Sequence, residues 1–218
     1  MSNAAERRQQ ILDGIAAAAA LAKRDPADVQ LIAVSKGRSA EEIEALIGAG
    51  QRDFGENRVQ EALVKWPELR ARYPEIRLHG VGRLQSNKAR EAVEMFDTIH
   101  SLDRKSLLDA LVKEAGKADK APSVYVQVNI GDEEQKGGCA IDEVGALVAA
   151  VRASPLPLAG LMAIPPLRLE PSPYFALLAK LARRHDVAGL SIGMSADFKA
   201  AVMVGATAVR VGTALFDD

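Results

Sequence analysis

Lys36 ends the apolar run Leu31-Ile32-Ala33-Val34-Ser35 and stands directly before Gly37 and the helix-start signal Ser39. The run reads as a short buried strand. A lysine at its carboxyl end projects into a cleft, the place where α/β folds hold ligands. An amine in such a cleft can lose its proton cheaply and attack a carbonyl to form a Schiff base. On position alone, a surface lysine beside a turn is the competing reading.

Arg210 is the second informative residue. It interrupts Ala206-Thr207-Ala208-Val209 and Val211, so it lies in a buried strand, on one face with the small residues Ala208 and Gly212. A buried guanidinium needs a partner. Asp53 or Glu56 could supply a structural ion pair; an acceptor atom of a bound ligand could serve as well. Nearby, Ser191-Ile192-Gly193-Met194-Ser195 and Gly212-Thr213 resemble an anion site. Glycines permit close backbone approach, and N–H groups at a helix start attract phosphate. Ordinary βα turns also favour Gly and Ser.

The elements that must position these groups alternate along the chain. β-like runs lie at 31–35, 52–56, 76–81, 97–101, 123–130, 158–163, 189–193 and 206–212. Helical stretches separate them at 39–49, 57–72, 86–95, 103–116, 141–153, 173–185 and 195–204. Repeated βα units predict a parallel sheet, and eight strands predict a closed (β/α)8 TIM barrel. An open doubly wound sheet is the runner-up. A leading helix at 4–23 fills the place of a missing last outer helix or covers the barrel bottom. Ser39 with Glu42 predicts a capping box. Ser86, Ser101 or Asp103, Ser172 and Ser195 are N-cap candidates, and Gly50, Gly116 and Gly205 are expected to close helices. The proline-rich segment 165–171 is either a lid or a stiff connection.

The composition bounds the function. The chain has 218 residues, 48% hydrophobic and 26% charged, with formal net charge −1. That suits a single domain, residues 1–218, and argues against nucleic acid as a partner. No apolar run reaches membrane-spanning length, and the N-terminus reads as a helix and not a signal peptide. One cysteine, Cys139, fits a reducing compartment, so a cytoplasmic location is expected.

A Schiff-base lysine on strand one, an arginine on strand eight and a phosphate cup after strands seven and eight together describe a pyridoxal phosphate site. The motifs agree. Ala33-Val34-Ser35-Lys36, Phe54-Gly55-Glu56-Asn57, Leu84-Gln85-Ser86-Asn87-Lys88, His100-Ser101-Leu102-Asp103, Ser191-Ile192-Gly193-Met194-Ser195 and Val209-Arg210-Val211-Gly212-Thr213 occur in order. In these the chain resembles the pyridoxal phosphate homeostasis protein family, also called the proline synthetase co-transcribed family. The resemblance implies a barrel like the cofactor domain of alanine racemase. It implies Lys36 as the aldimine lysine, Arg210 near the pyridine nitrogen, and Asn57 near the ring. Ser191, Gly193, Met194, Gly212 and Thr213 would surround the phosphate. The chain departs from the family pattern at Gly37-Arg38, Arg58, Arg83 and Ile192, in a shorter loop after Ile164, and in Asp217-Asp218 at the end. Arg58 and Arg83 alter the mouth.

An arginine beside the pyridine nitrogen keeps it unprotonated and weakens the ring as an electron sink. Racemisation also wants a second base on the opposite face. Tyr73, Tyr125 and Tyr174 offer little, and in alanine racemases the base comes from an added domain and a dimer partner. The expectation is a carrier that holds, buffers or delivers pyridoxal phosphate, with no or weak catalysis, as a monomer passing cofactor to apoenzymes. A racemase-like enzyme is the alternative, and a cofactor-free aldolase using Lys36 a third. His79 reads as a core residue and not a metal ligand; no metal is expected. Lys136 reads as part of a solvated charge run and not as a second reactive amine.

Overall fold

The computed structural model describes residues 4–217. Eight strands form a closed parallel barrel in sequence order. They are β1 Gln30–Val34, β2 Asp53–Glu56, β3 Arg77–Gly80, β4 Thr98–Leu102, β5 Ser123–Gln127, β6 Leu158–Met162, β7 Leu190–Ser191 and β8 Ala208–Val211. The helices are α1 Ala4–Leu21, α2 Ala40–Gly48, α3 Val59–Arg72, α4 Ala89–Met95, α5 Lys105–Ala118, α6 Val144–Arg152, α7 Ser172–Arg184, α8 Phe198–Val204 and α9 Thr213–Phe216. β8 pairs back onto β1 from Gln30 against Ala208 to Ala33 against Val211, which closes the (β/α)8 barrel. No helix among the described residues is long and apolar enough to cross a membrane.

Strand periodicity sorts the side chains into two layers. Leu31, Phe54, Leu78, Val124, Leu190 and Val209 are buried in one continuous core between sheet and helices. Their neighbours His79, His100, Tyr125, Ser191 and Arg210 face the opposite way, into the barrel, and are also buried. The interior therefore mixes these polar groups with apolar ones such as Ile32 and Met162, where branched aliphatic residues usually fill such a barrel. α1 packs against α8 and α9 on one side and α2 on the other. It thus fills the gap in the outer ring and does not cover the bottom. Arg24, just beyond α1, locks it there by donating to the carbonyls of Val202 at 2.7 Å and Ala206 at 2.8 Å.

Several boundaries differ from the sequence pattern. β5 ends at Gln127 and not at residue 130, because the chain turns out into a long loop that closes only at the isolated bridge between Val128 and Cys139. α3, α4 and α8 begin at residues 59, 89 and 198, later than their polarity suggests, because the preceding residues build the loops at the mouth. The Ser39 capping box forms. Ser86, Ser101, Asp103, Ser172 and Ser195 do not cap; the Ser86 hydroxyl accepts from Arg104 at 3.1 Å and Ser195 serves another loop. Gly50 and Gly205 close helices in positive φ. Gly116 lies inside α5, which runs on until Asp119 turns left-handed at φ 49°. Asp218 lies outside the described residues.

Gly160 shows how tightly β5, β6 and β7 approach. A Cβ there would stand 2.3 Å from the Gly189 carbonyl oxygen and 2.6 Å from the Tyr125 ring. Gly160→Ala is expected to lose about 2 kcal/mol in urea unfolding, because neither the backbone nor the stacked ring can retreat.

Candidate functional site

Lys36 lies two residues beyond β1, in a turn. The Arg38 N–H donates to the Ser35 carbonyl at 3.1 Å, and Gly37 adopts φ +67°. This is the positive φ demanded at the third position of a type II turn, where glycine costs nothing. The turn carries Lys36 past the end of the sheet, exposed, into the barrel mouth.

Arg210 rises into the same mouth from β8 and is 5% exposed. Neither Asp53 nor Glu56 meets it. Asp53 is occupied by Arg77, Gln30 and His79, and Glu56 by Ser35, Lys65 and Trp66. Arg210 donates instead to the Ser191 carbonyl at 2.6 Å, the Ser191 hydroxyl at 2.5 Å and the Ala163 carbonyl at 3.2 Å. Its partners are neutral oxygens. Burial accordingly lowers its pKa to about 10, although Asp197 and Tyr125 pull the other way.

A hydrogen-bonded chain continues from Ser191 through the barrel. His100 Nδ1 lies 2.8 Å from the Ser191 hydroxyl, His100 Nε2 lies 3.0 Å from His79 Nδ1, and His79 Nε2 lies 3.1 Å from Asp53. The protons can be ordered from the ends. Asp53 only accepts, so His79 carries its proton on Nε2 and accepts at Nδ1. His100 then donates from Nε2 and accepts at Nδ1 from the Ser191 hydroxyl, which itself accepts from Arg210. Every link has one donor and one acceptor. Burial, the neighbouring His79 and Arg210 hold the His100 pKa well below its ordinary value, so it stays neutral. Burial would raise the Asp53 pKa, but hydrogen bonds from His79 and Arg77 outweigh it and lower it. Tyr125 stacks on His100 with centroids 4.4 Å apart. His79 is thus a core residue, as its position suggests, but one with a defined polar task. The sequence signal for this chain was the period-two placement of His79, His100, Ser191 and Arg210 on inward-facing positions.

Two loops lie where the phosphate cup is expected. Residues 192–197 make the first; Gly193 turns at φ +92°, and a Cβ there would come within 2.6 Å of the Ala201 Cβ. The Gly193 carbonyl accepts the Arg210 N–H at 2.9 Å, tying the cup to β8. Gly212 and Thr213 begin the second, and the Ala214 N–H reaches the Ser195 hydroxyl at 3.5 Å. Gly193 and Ser195 precede α8 and do not open it. Asn57, Met194, Gly212 and Thr213 line the mouth beside Lys36 and Arg210. Ser191 is fully buried beneath it, as the seat of Arg210, and Gly193 shapes the cup from behind.

The mouth is a cavity of about 690 Å³, within the usual range for small-molecule sites. Among the described residues its ionisable lining is Lys36, Arg38, Arg83, Lys136 and Arg210, all cationic. Lys136 corrects the sequence reading: it is half-buried, donates to the Pro165 carbonyl at 2.8 Å and pairs with Glu133. It thereby ties the β5–α6 loop to the β6–α7 loop. The latter is anchored by the buried Pro165 and Pro166 and exposed at 167–170. Cys139 is buried, and burial with nearby Glu143 pushes its pKa up to about 12, which removes it as a nucleophile. No metal-binding cluster occurs among the described residues.

Comparison with known proteins accounts for this geometry. The pyridoxal phosphate homeostasis protein of Pseudomonas aeruginosa is 42% identical over 99% of this chain and 96% of that protein. The chain belongs to the pyridoxal phosphate homeostasis protein family. The family model described as alanine racemase, N-terminal domain, matches residues 8–218. The family member PipY of Synechococcus elongatus, solved with pyridoxal phosphate bound, is 42% identical, with a TM-score of 0.80 over 93% of this chain and 99% of PipY. The same protein solved without pyridoxal phosphate gives a TM-score of 0.82 at 41% identity.

The ordered histidine chain makes stability depend on pH. His100 is a base whose folded pKa lies below its ordinary value of 6.5, so the unfolded chain binds more protons in acid. Its contribution is complete above about pH 6.5 and is lost as pH falls toward the folded value. Thermal unfolding measured down to about pH 5 is expected to show a steeper loss of Tm for the parent protein than for His100→Asn.

Proposed function

We propose that this protein holds pyridoxal phosphate in the barrel mouth and buffers or delivers it, with no or weak catalysis of its own. The observation that carries the reading is the buried Arg210 guanidinium, held by neutral oxygens at the floor of a mouth whose ionisable groups are all cationic. No carboxylate bonds to Arg210, so the site suits an anion with an acceptor atom over the guanidinium.

The residues present fit this ligand. Thr213, Gly212 and residues 194–196 line one side of the cavity, where a phosphate would sit. Arg210 offers a fixed donor to a ring nitrogen, and Asn57 lies beside the same cavity. Ser191 orients Arg210 and Gly193 shapes the cup. Lys36 supplies the amine that captures an aldehyde. When bound, pyridoxal phosphate supplies an electron-withdrawing ring and an aldehyde that amines attack. Arg210 keeps its proton, so the ring nitrogen gains a hydrogen bond without being protonated, and carbanion chemistry is weakly supported. The relatives named for pyridoxal phosphate homeostasis and the PipY structure containing the cofactor support the same reading.

A racemase-like enzyme needs a second base at the mouth. Among the described residues no Tyr, His, Asp or Glu side chain lines it, and the one further lysine is ion-paired to Glu133. A monomeric, single-domain carrier is the form this reading takes. A buried, unpaired Cys139 suits the cytoplasm, and apoenzymes that require the cofactor are the fitting partners.

Added pyridoxal phosphate is expected to give a visible absorbance band that Lys36→Ala abolishes; a colourless parent protein would overturn the reading. Amino acids incubated with the loaded protein in deuterium oxide should exchange their α-hydrogen at rates far below those of enzymes. Arg210→Gln is expected to bind the cofactor about tenfold more weakly, as loss of a charged donor predicts.

A further inference from the structure

The residues on either side of Lys36 are fastened from behind the mouth, and Lys65 on α3 is the common fastener. Its Nζ lies 2.8 Å from the Ser35 carbonyl, 2.9 Å from Glu56 Oε1 and 3.0 Å from Glu61 Oε1. An ammonium has three N–H donors, so each is used. Glu61 Oε1 in turn accepts the Gly37 N–H at 2.5 Å. Glu56 Oε1 accepts the Ser35 hydroxyl at 2.8 Å and the Trp66 indole N–H at 2.9 Å. The residue before Lys36 and the residue after it are therefore tied to one charged cluster.

That cluster is an expensive way to fill the space. The Lys65 side chain is 12% exposed and the Glu56 side chain fully buried. Apolar side chains of similar volume commonly serve stability as well as a buried ion pair does. Directional bonds to the Ser35 carbonyl and the Gly37 N–H do what apolar packing cannot, which is to set the orientation of the peptide units flanking Lys36. Lys36 itself is exposed and has a long flexible stem, so its aim depends on the backbone beneath it.

We propose that Lys65, acting with Glu56 and Glu61, is the positioning residue that holds the 35–38 turn and so presents the Lys36 amine to the mouth. The proposal rests on the reading of Lys36 as the capturing amine. Lys65 touches no ligand; it acts through the backbone.

Three measurements on the full chain test it. Hydrogen exchange over residues 35–38, without cofactor, reads the clamp directly. The rate at which borohydride fixes pyridoxal phosphate to Lys36 reads its consequence. The affinity for 4′-deoxypyridoxine 5′-phosphate, which has no aldehyde, reads the rest of the site. Lys65→Met is expected to speed exchange at 35–38 about tenfold and to slow fixation about tenfold. The affinity for the aldehyde-free analogue should stay within about twofold, because the cup and Arg210 are untouched. Glu61→Gln, at a more exposed position, should shift both rates in the same direction by less, and it serves where Lys65→Met does not fold. Exchange and fixation at parental rates in both variants would overturn the proposal. Failure of the parent chain to be fixed would sink the carrier reading instead, and the exchange rates would then decide the clamp alone.

Discussion

A guanidinium without a carboxylate sets the character of this barrel. Arg210 is buried and bonded only to neutral oxygens of Ser191 and Ala163. Burial that lowers an arginine pKa from 12.5 to about 10 corresponds to a penalty on the order of 3 kcal/mol. A carboxylate placed beside it would remove that cost and also fill the position where a ligand acceptor belongs. The nearby negative charge is Asp197, which favours the charged form of Arg210 without being among its hydrogen-bond partners, while a relay runs from Arg210 to Asp53 through Ser191, His100 and His79. Each of these accepts from one side and donates to the other, so the guanidinium is held in orientation without being neutralised.

This requirement reshapes the packing. A chain of imidazoles inside the barrel displaces part of the aliphatic filling expected there, leaving Ile32 and Met162 beside it, and the main hydrophobic core lies in the shell between sheet and helices. α1 completes that shell where the short α9 leaves a gap. Tyr125 provides apolar area for the His100 ring, and Gly160 leaves room for Tyr125. The relay from Arg210 to Asp53 is paired at every link, and a break in such a network leaves a costly orphan.

The mouth inverts the logic of the floor. Its side chains are cationic and partly solvated, and the acids near Lys36 face away from the cavity into the cluster around Lys65. Arg38 is drawn to Glu42 and Asp217 and stacks 5.2 Å over Phe216, which pins the end of the chain beside the opening. Arg83 adds charge to the rim. The result is a site with cationic side chains around the opening and a fixed donor at the bottom.

Much of this was legible in the residues alone. Period-two apolar runs separated by helical stretches gave the eight-stranded closure. Lys36 after a strand, Arg210 within one and the Gly-Ser turns near residues 193 and 212 gave the mouth, because these depend on local pattern and chain order. What the sequence could not disclose are pairings between distant strands. Asp53 lies 157 positions before Arg210, and nothing local says that two histidines and a serine link them while Asp53 itself serves Arg77. The side of the strand mouth to which Glu56 turned, the capture of Lys136 by Pro165 and the fastening of the Lys36 turn by Lys65 were likewise decided only on barrel closure. Periodicity tells which face a residue occupies; only closure tells which faces meet.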